Sequence, residues 1–204
     1  GCVLGYTQSD EITLILTDYA TFETDAWFDY EVQKLCSISA SMATMAFNKF
    51  FTLNVNNTIL SNLVKYDDKD IGIKKKEEEK YYEVLENAAR KGAMFDARCF
   101  NISKEEVANL IYWRQSDAIR NSIQMVGQAY YSHKILQNKT CEDIINMLRE
   151  DPNAINWESF NLDSQRGSCC IKTLNNKWYI DKEIPIFVGA GREYIEKRIY
   201  FGEE

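Results

Sequence analysis

Two strand-like apolar runs open the chain, residues 1–7 and 12–17, and only Gln8-Ser9-Asp10-Glu11 separates them. A short polar turn between two such runs predicts a β-hairpin, so the fold must accommodate an antiparallel strand pair from its first residues. The second run, Ile12-Thr13-Leu14-Ile15-Leu16, is nearly continuous in apolar character.

Helical periodicity follows. From about 31 to 51, Val32, Leu35, Cys36, Ser39, Met42, Ala43, Ala46 and Phe50 recur at three and four, which predicts an amphipathic helix. Lys34, Ser37 and Ser41 align on its opposite face. Residues 65–91 hold eight basic and eight acidic residues. They read as a solvated helix with i,i+4 pairs, part of a charged helical insertion over 65–93. Met94 to Ile102 predicts a strand. Ser103 then offers an N-cap with Glu106 three residues on, a capping box for a long helical region reaching about Gln137. Thr140 caps a shorter helix to Arg149. Beyond Pro152, Gly167–Thr173 and Lys177–Asp181 pair around Asn175-Asn176. Strands and helices interleave without βαβ repetition, which indicates α+β.

The 204 residues suit one domain, and no apolar run is long enough to span a membrane. The first residues carry no positive charge and no initiator Met, so the sequence reads as entered partway through a domain. Net charge is −7, and residues 1–33 contain seven acidic residues with no Lys or Arg. A duplex-wrapping protein usually has a basic excess, which is absent here. An acidic segment suits either a cation site or a solvated surface. The six cysteines lack metal-ligand spacing and there is one His, which argues against zinc and for reduced, buried thiols in a cytoplasmic protein.

Three segments could carry chemistry. Asp10 and Glu11 at the hairpin tip point to opposite faces in extended backbone, so at most one aims directly into a site. A hard carboxylate suits Mg²⁺ held jointly with substrate phosphates. Arg114, Asp117 and Asn121 share one helical face, which could hold phosphate or RNA, or form a self-satisfied polar network. Val188-Gly189-Ala190-Gly191-Arg192 lacks the third glycine of a dinucleotide fingerprint, because Tyr194 stands there. His133 lies with Tyr130 and Leu136 on an apolar side and predicts packing, not catalysis.

Gly5-Tyr6-Thr7-Gln8-Ser9-Asp10-Glu11 resembles the metal-binding hairpin of the tRNA-His guanylyltransferase family. Trp27-Phe28 with Lys34 and Ser41, then Phe95-Asp96-Ala97-Arg98, then Trp113-Arg114-Gln115-x-Asp117-x-x-x-Asn121 match in order. Arg166-Gly167 and Ile184-Pro185-Ile186-Phe187 are similar to the template-dependent 3′-to-5′ polymerase-like branch.

The resemblance implies a palm-type antiparallel sheet with packed helices and a Mg²⁺-dependent nucleotidyltransferase using two ions. It would add GTP-derived or template-matched nucleotides to the 5′ end of tRNA or another RNA. Asp10 and Glu11 then stand at the catalytic positions, with Asp10 a metal ligand. Ser9, Lys34, Ser37 and Ser41 would bind nucleotide; Arg114, Gln115, Asp117 and Asn121 would bind substrate or support the site. Implied partners are RNA, GTP or ATP, and further copies of the chain in a tetramer, with neither membrane nor DNA. The family's first metal-binding Asp precedes the segment present here, so the catalytic domain reads as incomplete at its N-terminus. Ile119 and Pro152 replace a His and a Lys of the tRNA-His enzymes, which favours the polymerase-like branch. Two other classes share parts of this pattern: a palm-fold nucleotide cyclase or signalling synthase, and a non-catalytic RNA-binding module.

Overall fold

The computed structural model describes residues 1–63, 74–153, 155–173 and 175–200. Along the chain run β1 (Cys2–Gln8), β2 (Glu11–Leu16), α1 (Val32–Leu63), α2 (Lys74–Lys91) and α3 (Lys104–Tyr130). The short α4 (His133–Leu136) comes next, followed by α5 (Cys141–Glu150), α6 (Leu162–Arg166), β3 (Ser168–Lys172), β4 (Trp178–Asp181) and α7 (Glu193–Glu196). The fold is α+β, and its described residues form two compact units, Gly1–Ala26 with Asn101–Glu204, and Trp27–Phe100.

The first unit is built on a four-stranded antiparallel sheet of order β2-β1-β3-β4. The hairpin forms as the sequence predicts, but its turn is only two residues, because Gln8 pairs with Glu11. Ser9 takes a left-handed φ of 53° to close it. β1 is a central strand, and its Leu4-Gly5-Tyr6 is buried. β2 lies at the edge: Ile15 faces the core, while Ile12, Leu14 and Leu16 alternate outward.

The core joins Leu4, Tyr6, Ile15, Cys169 and Ile171 of the sheet to Val107, Ala108 and Ile111 of α3, closed by Ile184, Phe187, Ile195 and Ile199. Each large aliphatic or aromatic side chain here contributes about 1.5–3 kcal/mol by leaving water. A smaller cluster of Ile123, Ile144 and Leu148 packs α3 on α5. Gly191 is required where the chain turns after Phe187, since a Cβ there would sit 1.9 Å from the Ile186 carbonyl oxygen.

Two helix caps differ in outcome. Thr140 and Asp143 form the full reciprocal capping box at α5. Ser103 occupies the N-cap of α3, yet its hydroxyl accepts no helix N–H, so the expected capping box with Glu106 does not form. The long helix stops at Tyr130, short of Gln137, because Tyr131 is extended and its hydroxyl donates to Met147 O at 2.8 Å and Asp151 Oδ2 at 3.0 Å. His133 is exposed, correcting the expectation that it packs.

In the second unit α1 runs on to Leu63, well past the predicted end near residue 51. Phe51, Thr52, Val55 and Ile59 continue its covered stripe, and Val55 is buried. The covered face is also rotated from the predicted one: Thr44 and Asn48 are on it, whereas Val32, Met42, Ala46 and Phe50 are exposed.

What selects that face is a strap, residues 93–100, most of which falls in the strand predicted over Met94 to Ile102. The strap is extended and alternates in burial, but among the described residues it joins no ladder. It lies along α1 instead. Asn48 accepts from Ala93 N at 2.7 Å and donates to Ala93 O at 2.9 Å; Thr44 accepts from Phe95 N at 3.0 Å. Phe95 meets Phe47 edge-on at 5.4 Å, and Cys99 reaches Cys36. The registers agree because two extended residues advance about 6.6 Å while four helical ones advance about 6 Å. Side chains of the helix thus replace strand partners for the strap's polar backbone. The described part of the charged segment, Lys74–Lys91, is helical, and residues 64–73 lie outside the described residues. Among the described residues no helix is long and apolar enough to cross a membrane.

Candidate functional site

The hairpin turn raises Asp10 clear of the sheet. It is exposed, and among the described residues it has no ion pair. Glu11, one residue on, opens β2 and turns toward the protein. Its Oε2 pairs with Arg114 Nη2 of α3, and its Oε1 accepts from Thr13 Oγ1 at 3.3 Å. Thr7 Oγ1 donates to the Glu11 carbonyl at 3.1 Å, fixing the backbone beside the turn. The adjacent carboxylates therefore have different surroundings, as extended backbone requires: one free, one tethered.

Arg114 connects the hairpin to the face of α3. Its Nη2 lies 3.8 Å from Asp117 Oδ2, and its guanidinium sits 4.7 Å from the centre of the Trp113 ring. Its Nε is buried without an acceptor, so the planar group is held by carboxylates at one edge only. Asp117 takes Arg120 at 2.8 Å, and Asn121 Nδ2 at 3.4 Å. The stripe predicted from spacing is thus a connected network that extends to the hairpin.

Gln115 is different. It is fully buried, and its amide is used by neighbouring backbone. Its Nε2 donates to Pro185 O at 2.9 Å, and its Oε1 accepts from Phe187 N at 2.9 Å. One amide side chain thereby satisfies two backbone groups of the Ile184–Phe187 segment, whose Ile184 and Phe187 fill the core.

Beneath the hairpin, Tyr6 donates from its hydroxyl to Arg166 O at 2.8 Å. Burial, followed by the thiol of Cys169 and the charge of Glu11, pushes the Tyr6 phenol well above its ordinary range; Arg114 opposes this. Tyr6 consequently stays a neutral donor. Gly167, at φ 84°, follows Arg166, where a Cβ would meet the Thr7 carbonyl oxygen at 2.5 Å. The Arg166-Gly167 pair therefore lets β3 approach β1 next to the hairpin.

The remaining predicted residues belong to the other unit. Lys34, Ser37 and Ser41 lie on one exposed stripe of α1, as their spacing requires. Lys34 Nζ is 3.3 Å from Glu31 Oε2 and 5.6 Å from the centre of the Phe28 ring. Ser37 and Ser41 donate to the carbonyls of Lys34 and Ser37, at 3.3 and 2.8 Å. Phe28, Asp29 and Tyr30 precede the helix in left-handed backbone, with φ of 52°, 49° and 59°. Ser9 stays at the hairpin turn with Asp10.

Two participants escaped sequence reasoning. Thr13 is two residues from Glu11 on the same strand face, a spacing that carried the signal. Glu31 is Lys34's i−3 neighbour on the helical surface, equally visible in principle.

As for a cation, no group of three or more His, Cys, Asp or Glu gathers among the described residues. Mg²⁺ is commonly held by one or two carboxylates plus substrate phosphates, and an unpaired Asp10 fits that donor set. Glu11 is already tied to Arg114.

Comparison with known proteins agrees with the pattern of residues. The family model for tRNAHis guanylyltransferase matches residues 1–103. A bacterial tRNA(His) guanylyltransferase-like protein in complex with ATP is 36% identical, with TM-score 0.73, over 98% of this chain and 72% of that one. A bacterial guanylyltransferase-like protein in complex with GTP is 31% identical, with TM-score 0.66, over 98% of this chain and 71% of the other. An uncharacterised protein of Acanthamoeba polyphaga mimivirus is 29% identical in an alignment 184 residues long that covers 85% of this chain and 56% of the viral protein. The chain thus spans little more than half of that relative.

Proposed function

This chain belongs to the tRNAHis guanylyltransferase family, and from that membership we propose that it is the core of a nucleotidyltransferase that extends RNA at its 5′ end. The observation that carries the reading is the split pair at the hairpin: Asp10 unpaired at the tip and Glu11 bound to Arg114 of the Trp-Arg-Gln helix. The ATP and GTP complexes of the two bacterial proteins support a nucleoside triphosphate as co-substrate.

In this reading Asp10 is the ligand that this chain contributes to Mg²⁺. Bound Mg²⁺ would supply charge stabilisation to the phosphates and lower the pKa of an attacking hydroxyl. Glu11 and Arg114 hold the hairpin so that Asp10 keeps its place. Lys34 offsets triphosphate charge, a task suited to an ammonium point charge. Its exposed pair with Glu31 contributes only about 0–1 kcal/mol, so a phosphate can displace the carboxylate cheaply. Ser9, Ser37 and Ser41 offer hydroxyls to the same ligand class. Asp117 and Asn121 present polar groups to substrate, while Gln115 acts through the backbone it supports.

The reaction would join the 3′-hydroxyl of an incoming nucleotide to an activated 5′-phosphate of the RNA, building the strand in the 3′-to-5′ direction. Self-association into a tetramer belongs to the same proposal. The test uses the natural protein that contains this chain, a tRNA lacking its first nucleotide, Mg²⁺ and each nucleoside triphosphate in turn. Template-matched 5′ lengthening supports the proposal. A cyclic or dinucleotide product formed without RNA would replace it with a cyclase or synthase.

A further inference from the structure

Cys36 and Cys99 are 63 residues apart in sequence, yet Cys36 Sγ lies 3.6 Å from Cys99 Sγ. Cys36 sits in the first turns of α1, two residues after Lys34. Cys99 is the last inward-facing residue of the strap, and its Sγ is also 3.8 Å from Val32 O. Both are free thiols and only half-buried, so a small reagent can reach them.

Their approach does not depend on the sulfurs alone. Ala93 on Asn48, Phe95 on Thr44 and Phe47, and Cys99 on Cys36 fall in one register, two strap residues to four of the helix. The backbone on both sides is thus already positioned, and closing the gap to a bond of about 2.05 Å requires side-chain rotation more than chain movement. Among the other four cysteines no two sulfurs are in contact: Cys2, near Cys170 across the sheet, directs its thiol to Leu4 O at 3.7 Å. Cys169 and Cys170 are neighbours on β3 whose side chains leave opposite faces, and Cys169 is buried.

We propose that Cys36 and Cys99 are a reversible oxidation site, forming an intramolecular disulfide with a low-molecular-weight disulfide as oxidant and so locking the strap to the first turns of α1. One thiolate of the pair attacks a sulfur of the oxidant, breaking its S–S bond and releasing one small thiolate. The second protein thiolate attacks the mixed disulfide at the protein sulfur and releases the other small thiolate. Two protein thiols are oxidised, one small disulfide is reduced to two thiols, and the protons pass to solvent. Partial burial and the Cys36 sulfur hold the Cys99 thiol above its ordinary range, so exchange is faster at mildly alkaline pH. The site's formation is independent of the enzymatic reading. Its consequence for Lys34 would rest on that reading.

The experiment incubates the whole chain with oxidised glutathione, quenches exchange with acid and denatures the protein so that buried Cys169 is counted too. It then blocks remaining thiols with iodoacetamide and maps peptides without reduction. The expected result is a single cross-linked pair joining the Cys36 and Cys99 peptides, with alkylatable thiols falling from six to four. Dithiothreitol should restore all six. Cys36→Ser and Cys99→Ser should each abolish the cross-link, whereas Cys170→Ser should leave it. The wild-type map decides the matter even if a variant fails to fold. Both thiols alkylated, a stable glutathione adduct on either, or either one bonded to another cysteine would each overturn the proposal.

Discussion

Arg114 Nη2 grips Glu11 Oε2 across 103 residues of sequence, fastening the first residue of β2 to α3. The Arg114 side chain is 22% exposed and that of Glu11 41%, so the pair is neither a surface decoration nor a dry ion pair. Its significance lies in what it excludes. A Glu11 so engaged leaves Asp10 as the free carboxylate of the turn, and in the proposed reaction the two side chains would divide the work of holding and reacting.

That relationship predicts a measurable coupling. In a double-mutant cycle of Arg114→Ala with Glu11→Gln, denaturant titration should give an interaction energy of about 0.5–1.5 kcal/mol, modest because Glu11 is partly solvated. Arg114→Lys should keep the charge but not 5′-extension activity, because an ammonium lacks the planar group that lies over the Trp113 ring while Nη2 meets Glu11 and Asp117. Independent, additive effects would remove the tether from the account.

Gln115→Leu should be costly for folding, since it leaves Pro185 O and Phe187 N buried without their partners. About 2–4 kcal/mol is expected, at roughly 1–3 kcal/mol for each unsatisfied group with partial relaxation. Thermal or urea unfolding measures it. A loss of activity at unchanged stability would instead give Gln115 a direct role in substrate handling.

Lys34→Ala should raise the apparent KM for nucleoside triphosphate about tenfold or more with little change in melting temperature, because the residue is exposed. Glu31→Gln should act in the opposite direction: removing the competing carboxylate lowers that KM. Nucleotide titrations of the two variants make a paired test, since a merely structural role for Lys34 predicts no gain from Glu31→Gln.

Stability should fall in alkali through the buried core of the sheet. Burial pushes the Cys169 thiol from 9.0 up to about 12. A group whose pKa is raised by folding binds its proton more tightly when folded. Its contribution is therefore complete below about pH 9 and is lost as pH rises toward about 12. Tyr6 and Tyr194 are raised from 10.0 chiefly by burial and add to the decline above about pH 10. Urea midpoints measured from pH 8 to 11 should slope downward, and Cys169→Ala should flatten the lower part of that slope. A flat wild-type profile would contradict the burial argument.

Local signals made much of this architecture legible. The hairpin, the Thr140 cap and the β3–β4 pair each depend on neighbours within a few residues, so pattern and turn chemistry suffice for them. The strap was misread for a physical reason. Alternation at Phe95, Ala97 and Cys99 reports an extended chain with one covered face, but it does not specify what does the covering. Here a helix supplies Asn48 and Thr44 in place of a strand. The same ambiguity displaced the predicted face of α1, where apolar residues occur on all sides and polar anchors decide. At the site, spacing aligned Arg114, Asp117 and Asn121 correctly. The link from Arg114 to Glu11 depends on tertiary placement and left no trace in the local pattern. Burial likewise separated Gln115 from its helix neighbours, a distinction that its position in the Trp-Arg-Gln motif does not convey.

The most direct measurement compares wild type with Asp10→Asn in Mg²⁺-dependent 5′ extension of a truncated tRNA, using protein matched for folding by circular dichroism and melting temperature. Because Asp10 is exposed and unpaired among the described residues, the substitution should shift stability by no more than about 0.5 kcal/mol. The account predicts a fall in extension rate of about a hundredfold or more. Extension by Asp10→Asn at a rate near that of the wild type would contradict it.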